Sequence, residues 1–147
     1  MVVHNKQFIL SEQPHRINED WCTIQMNNGY ILSYQENLHV VSNNDNSILL
    51  IGDAWSVEPE MKSPQSFIQQ LPSFSESSLA QIDEEESAWN GRYLLIIGDY
   101  ISLDAVGAYG VFYSNNSLSS SLPLICRIEN REVIYPDTKW GDFPDFV

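Results

Sequence analysis

Ser47-Ile48-Leu49-Leu50-Ile51 is an apolar run entered from a polar turn, Asn43-Asn44-Asp45-Asn46, and stopped by Gly52-Asp53. A strand with one wet face alternates apolar and polar residues, so a run without alternation predicts a strand buried on both faces. Arg92-Tyr93-Leu94-Leu95-Ile96-Ile97, closed by Gly98-Asp99, has the same character. The likeness is too short to mark an internal repeat, because apolar strands followed by a turn are common.

On the N-terminal side, Lys6–Leu10, Trp21–Met26, Tyr30–Tyr34 and Leu38–Ser42 are rich in β-branched and aromatic residues and read as a meander of short strands. Asn27-Asn28-Gly29 is a strong hairpin turn, since Asn and Gly accept positive φ at little cost. Beyond the first run the period changes. Ser63-Pro64 starts a helix, Phe67, Ile68 and Leu71 fall at helical spacing, and Pro72 ends it. A second helix is predicted from about Ser75 to Trp89, with Leu79, Ile82 and Trp89 facing the core and Asp83-Glu84-Glu85-Glu86 on a solvated face or loop. Past the second run, Tyr100–Leu103 pairs back, and Gly110–Ser114 with Leu118–Ser121 form a hairpin around Asn115-Asn116. Leu122–Ile128 suits a short helix or a strand. The organisation is one domain over residues 1–134 and an extended tail or linker over 135–147, which carries Pro136, Gly141 and Pro144.

The 147 residues include 7 Lys+Arg and 20 Asp+Glu, a formal charge of −13, while 43% are hydrophobic and 12% aromatic. That apolar share is enough for a core, and the acidity opposes nucleic acids and anionic membranes as partners. Met1-Val2-Val3-His4-Asn5-Lys6-Gln7 is not a charged leader followed by an apolar stretch, and no long apolar window follows, which predicts a cytoplasmic protein. The glycosylation sequon Asn115-Asn116-Ser117 then has no role. Cys22 and Cys126 stand far apart, in neither a disulfide nor a metal-ligand pattern, and are expected to be buried, reduced thiols.

Most catalytic signatures are absent: there is no Gly-rich phosphate loop, no helical His pair and no Gly-x-Ser-x-Gly elbow. His4, His15 and His39 are scattered, and nothing supports a metal site built from them with Asp53 or Asp99; no metal or cofactor is expected. Asp53, Asp99 and Asp104 each end an apolar strand, where a carboxylate serves as an acid or base or, more commonly, caps a turn.

The second half carries a resemblance. Trp89-Asn90-Gly91-Arg92-Tyr93-Leu94-Leu95-Ile96, then Leu103-Asp104-Ala105-Val106-Gly107-Ala108-Tyr109-Gly110-Val111-Phe112-Tyr113-Ser114, then Ser119-Ser120-Ser121-Leu122, is similar to the N-terminal domain of asparagine-synthetase-like proteins. In that family a Gly-x-aromatic strand, matched at Gly91, is followed by an Asp-x-x-Gly turn, matched at Asp104 and Gly107. An aromatic strand matched at Tyr113 and a Ser turn matched at Ser120 complete the pattern. The resemblance implies an α+β, N-terminal-nucleophile-like sandwich of two mainly antiparallel sheets flanked by helices.

Working members of that class release ammonia from glutamine with an N-terminal Cys whose α-amine is the base. Val2 stands at that position and has no nucleophilic atom. The family's Asn-Gly oxyanion contact matches Ile51-Gly52-Asp53, where Ile51 lacks a side-chain donor; such a donor is worth on the order of 2.7–4 kcal/mol. The Ser-Gly-Gly-x-Asp-Ser loop with which a synthetase domain binds ATP is also absent. The resemblance therefore implies a non-catalytic, pseudo-glutaminase domain that scaffolds or regulates a synthetase-like partner domain or subunit, as in family members that have lost the nucleophile. Two other readings compete: an acidic binding or inhibitor protein docking on a basic protein, drawn from the −13 charge, and a hydrolase using Asp53, Asp99 or Asp104.

Overall fold

In a computed structural model describing residues 6–131, the two apolar runs pair with each other. β5 (Ile48–Ser56) and β6 (Trp89–Ile97) lie antiparallel in unbroken register, from Ile48 opposite Ile97 to Ser56 opposite Trp89. Their side chains alternate between two cores. Leu49, Ile51, Leu94 and Ile96 meet Phe8, Leu10, Leu32 and Leu118, whereas Ile48, Leu50, Leu95 and Ile97 meet Ile68, Leu71 and Ile82. Every position is apolar because each face has its own cover, and each such side chain contributes about 1.5–3 kcal/mol by leaving water.

Those cores fix the architecture. One sheet is ordered β4 (Val40–Ser42), β5, β6, β7 (Tyr100–Leu103). The other is ordered β2 (Trp21–Gln25), β3 (Ile31–Gln35), β1 (Phe8–Ser11), β9 (Ser117–Ser119), β8 (Phe112–Tyr113). Every pairing is antiparallel. Helices α1 (Pro64–Gln69) and α2 (Glu76–Glu86) cover the outer face of the first sheet, and α3 (Leu122–Ile128) covers the second, where Leu124 packs with Ile9 and Trp21. The fold is α+β, with two antiparallel sheets face to face and helices outside them. Among the described residues, no helix is long and apolar enough to cross a membrane.

Local chemistry starts each helix. The hydroxyls of Ser63, Ser75 and Ser121 accept from the backbone N–H of Ser66, Ser78 and Leu124, satisfying donors that a helix start leaves open. Leu122–Ile128 is thus a helix, and the Asn27-Asn28-Gly29 and Asn115-Asn116 turns close the hairpins expected of them, with Gly29 at φ 92°.

Several expectations change. The N-terminal strands are not a simple meander: β3 lies between β1 and β2, and Leu38–Ser42 leaves them for the other sheet, where Val40, Val41 and Ser42 pair with Ile51, Leu50 and Leu49. β5 needs a hydrogen-bonding neighbour on its side away from β6, and this segment supplies it. β5 also runs past Gly52-Asp53 to Ser56, because Gly52 takes φ 101° without leaving the ladder. Trp89 opens β6 rather than closing α2; its ring meets Phe67 and Tyr93 edge to face, with centroids 5.9 and 5.8 Å apart. Cys22 is exposed and Cys126 half-buried, since Trp21 takes the covered position at that end of β2. The tail over 135–147 lies outside the described residues.

Asp83 to Glu86 form the last turn of α2, and the solvated reading holds for Asp83 and Glu84. Glu86 is different: it is half-buried and accepts from the Tyr93 hydroxyl at 2.9 Å. Burial holds its carboxyl above the usual range, the Tyr93 bond opposes that, and Asp83 and Asp104 add repulsion. Asp104 does cap a turn. Its buried carboxylate accepts from the N–H groups of Tyr93 (3.2 Å), Ala108 (2.9 Å) and Tyr109 (3.1 Å), while Gly107, at φ 64°, donates to the Asp104 carbonyl. Burial pushes the carboxyl up, but these donors outweigh it and leave its pKa below the usual value.

Asp104→Ala strands three backbone donors and is expected to cost about 3 kcal/mol in urea unfolding. The contribution of a depressed carboxylate is complete above its unfolded pKa and disappears as pH falls through the folded one, so the deficit should shrink in acid. Glu86 has the opposite sign, since a raised carboxyl lowers stability as pH rises through the window above its unfolded pKa. Glu86→Gln, which keeps an acceptor for Tyr93, is therefore expected to raise the melting temperature at neutral pH and to lose that effect at low pH.

Candidate functional site

A cavity of about 470 Å³ opens where the chain enters β1. Its walls come from both sheets: Lys6 and Gln7 before β1, His39 before β4, Gly52 and Asp53 within β5, Arg92 on β6 and Tyr109 from the turn that Asp104 caps. Gly52 makes room for it, and Gly91 lets the two strands stay close. Gly52 and Gly91 both hold positive φ inside the β5–β6 ladder. A Cβ on Gly52 would lie 2.6 Å from the Arg92 carbonyl oxygen and 3.0 Å from the Tyr109 ring, and one on Gly91 would run into the Asp53 carbonyl. With no side chain there, Tyr109 lies against the ladder, and the Arg92 guanidinium sits 5.4 Å above the Tyr109 ring centre.

The charged groups converge. His39 Nδ1 is 2.7 Å from Asp53 Oδ1, and Lys6 Nζ is 4.0 Å from Asp53 Oδ2. All three side chains are more than half exposed, so these contacts are worth about 0–1 kcal/mol. The Arg92 side chain makes no hydrogen bond or ion pair among the described residues. Burial is the main reason that the Tyr109 hydroxyl is pushed up to about 12; Asp53 adds to this and Arg92 opposes it. The wall therefore carries Lys6 and Arg92 against Asp53, a local cationic excess in a chain of charge −13.

Nucleophiles are scarce at this place. No cysteine lines the cavity among the described residues. Ser120 and Ser121 do line it, but the Ser120 hydroxyl accepts from Phe8 N at 3.1 Å, tying β1 to the end of β9, and the Ser121 hydroxyl caps α3. Gln7 is buried and braced by Gln35, which accepts from Gln7 N at 2.8 Å and donates its own N–H to the Gln7 carbonyl at 3.0 Å. The Gln7 side-chain oxygen is buried with no partner among the described residues.

Of the residues singled out from sequence, His39, Gly52, Asp53 and Ser120 meet at this cavity. Ile51 does not: its side chain is fully buried in the core between the sheets. Gly91 is in the ladder opposite Ala54, Asp104 and Gly107 form the capped turn, and Tyr113 is exposed on β8 beside a different cavity. Val2 lies outside the described residues, as does His4. The three carboxylates of the hydrolase reading are separated: Asp53 lines the first cavity, Asp99 lines the second, and Asp104 is buried on backbone donors. His15 stands elsewhere, with burial lowering its pKa, and among the described residues no group of three or more His, Cys, Asp or Glu is placed to hold a metal ion.

Sequence reading missed Lys6, Gln7, Arg92 and Tyr109 as wall residues, and it considered His39 with Asp53 only as an unsupported metal site. One signal was available for Arg92, which is the lone Lys or Arg between Lys62 and Arg127. No family model, curated protein or solved structure matches the chain.

Gly52→Ala and Gly91→Ala are each expected to lose at least about 2 kcal/mol of stability, because positive φ and backbone contact both oppose a Cβ. His39→Ala and Asp53→Ala, which remove exposed groups, should change it by less than about 0.5 kcal/mol in the same denaturation assay.

Proposed function

We propose that this chain is a non-catalytic glutamine-amidotransferase-like domain of the N-terminal-nucleophile type, which scaffolds or regulates an asparagine-synthetase-like partner domain or subunit. The observation that carries this reading is the cavity beside β1: its described lining has no thiol, and its two serine hydroxyls are engaged with backbone N–H groups. Val2 and the absence of a side-chain donor at Ile51 agree with it. The helix-covered pair of antiparallel sheets supports the fold that the resemblance implies. The resembling segment supports it further, since Trp89 to Leu122 includes β6, the Asp104 turn and the β8–β9 hairpin, the part of the chain that crosses from one sheet to the other.

In this reading the domain binds its partner as a folded unit and contributes no chemical step. His39 is paired with Asp53, but no hydroxyl or thiol is hydrogen-bonded to His39 among the described residues, so the partnership between nucleophile and base that acyl transfer needs is missing.

Incubation with glutamine should release no ammonia or glutamate above the buffer rate; turnover abolished by a single substitution would overturn the pseudoenzyme assignment. Purification of the tagged chain from its native host should recover, by mass spectrometry, a protein carrying a Ser-Gly-Gly-x-Asp-Ser loop. Recovery instead of a basic protein without that loop, released by salt, would favour the acidic-binder reading.

A further inference from the structure

Asparagine is followed directly by glycine at two places, Asn28-Gly29 and Asn90-Gly91. A glycine there leaves its backbone nitrogen unscreened by a side chain, so that nitrogen can reach the asparagine side-chain carbonyl. Both asparagines are exposed, and water reaches both. The folded chain nevertheless holds the two pairs differently.

Asn28 is tied away from its glycine. Its side-chain oxygen accepts from Tyr30 N at 3.1 Å, its amide nitrogen donates to the Gly98 carbonyl at 3.4 Å, and the Gly29 N–H donates to the Met26 carbonyl at 3.1 Å. Bringing Gly29 N onto the Asn28 carbonyl disrupts this set of bonds. Asn90, the second residue of β6, is arranged the other way. Alternate N–H groups of a strand point to the same side, and that of Tyr93 reaches the Asp104 carboxylate, where β7 has ended at Leu103. The next N–H on that side belongs to Gly91, beyond the end of β7. It donates at 2.9 Å to the side-chain oxygen of Asn90 itself, so the backbone nitrogen already lies against the carbonyl group it would attack.

We propose that Asn90 is a site of self-modification, at which the chain deamidates through a succinimide. Hydroxide takes the Gly91 proton, the Gly91 nitrogen bonds to Asn90 Cγ, and the Cγ–Nδ2 bond breaks; the departing nitrogen takes a proton from water and leaves as ammonia. A second water opens the ring at either carbonyl, giving aspartate or isoaspartate. The net change is the side-chain amide and a water converted to a carboxylic acid and ammonia. Ring closure requires rotation about the Asn90 Cα–C bond, which separates Asn90 from Trp55. Only Ser56 opposite Trp89 lies beyond that pair, and a ladder opens most readily at its end.

The reaction alters the cavity beside β1. Asn90 and Arg92 lie on one face of β6, so a carboxylate at position 90 offsets the local cationic excess. Isoaspartate lengthens the backbone just before Arg92 and disturbs its register opposite Asp53. The inference goes beyond the proposed function and is tested without glutamine or a synthetase partner, so either can fail alone.

The test is prolonged incubation of the full chain at neutral and mildly alkaline pH, folded and in urea, followed by peptide mapping with mass spectrometry. In urea both pairs should react. In the folded chain Asn28 should be slowed at least about tenfold, since its bonds are each worth about 1 kcal/mol, and Asn90 should be converted faster than Asn28, with a rate that rises with pH. Asn90→Gln, whose longer side chain closes the ring far more slowly, should abolish the acidic form that accumulates; Asn28→Gln should leave it. Circular dichroism checks that each variant is folded. An Asn90 that keeps its amide in the folded chain while reacting in urea overturns the proposal, as does faster conversion of Asn28 than of Asn90 in the folded chain.

Discussion

The β5–β6 ladder is the constraint from which the other layers follow. Two nine-residue strands with apolar side chains on both faces are unstable as the exposed surface of a sheet, so each face has to be covered. The second sheet takes one face through Phe8, Leu10, Leu32 and Leu118; α1 and α2 take the other through Ile68, Leu71 and Ile82. The second sheet has an outer face of its own, which α3 covers through Leu124. The order of layers follows from where apolar surface must be hidden.

The route from one sheet to the other is controlled by a single buried carboxylate. Asp104 accepts from Tyr93 on the ladder and from Ala108 and Tyr109 beyond the turn, so one side chain fastens β6 to the start of the crossing. Fastening the turn also places Tyr109 against Gly52 and beneath Arg92, which forms one wall of the cavity. Stability and site geometry are coupled there, because the donors that keep Asp104 ionised are the same groups that hold the cavity wall.

Charge is organised by the same arrangement. Acidic residues such as Asp83 and Glu84 face water on α2, the cavity beside β1 collects Lys6 and Arg92, and the groove between β7 and β8 has Asp99 as its one charged residue among the described residues. Each region sees a different dielectric and a different neighbour, so the single figure of −13 describes none of them.

The amino-acid sequence by itself determined much of the local structure: the two doubly apolar strands, the Asn-Gly hairpin, the helix starts at Ser63 and Ser75 and the role of Asp104 as a turn cap. These depend on neighbours a few residues apart, where side-chain periodicity and capping bonds act directly. Tertiary structure alone decided that Leu38–Ser42 joins the other sheet, that β5 continues through Gly52 to Ser56 and that Trp89 opens a strand. It alone decided that His39 reaches Asp53, that Ile51 faces the core, and that Cys22 is exposed. Those outcomes depend on which strand lies beside which, and pairing between distant segments is set by the burial of whole faces, a quantity that no short window of sequence contains.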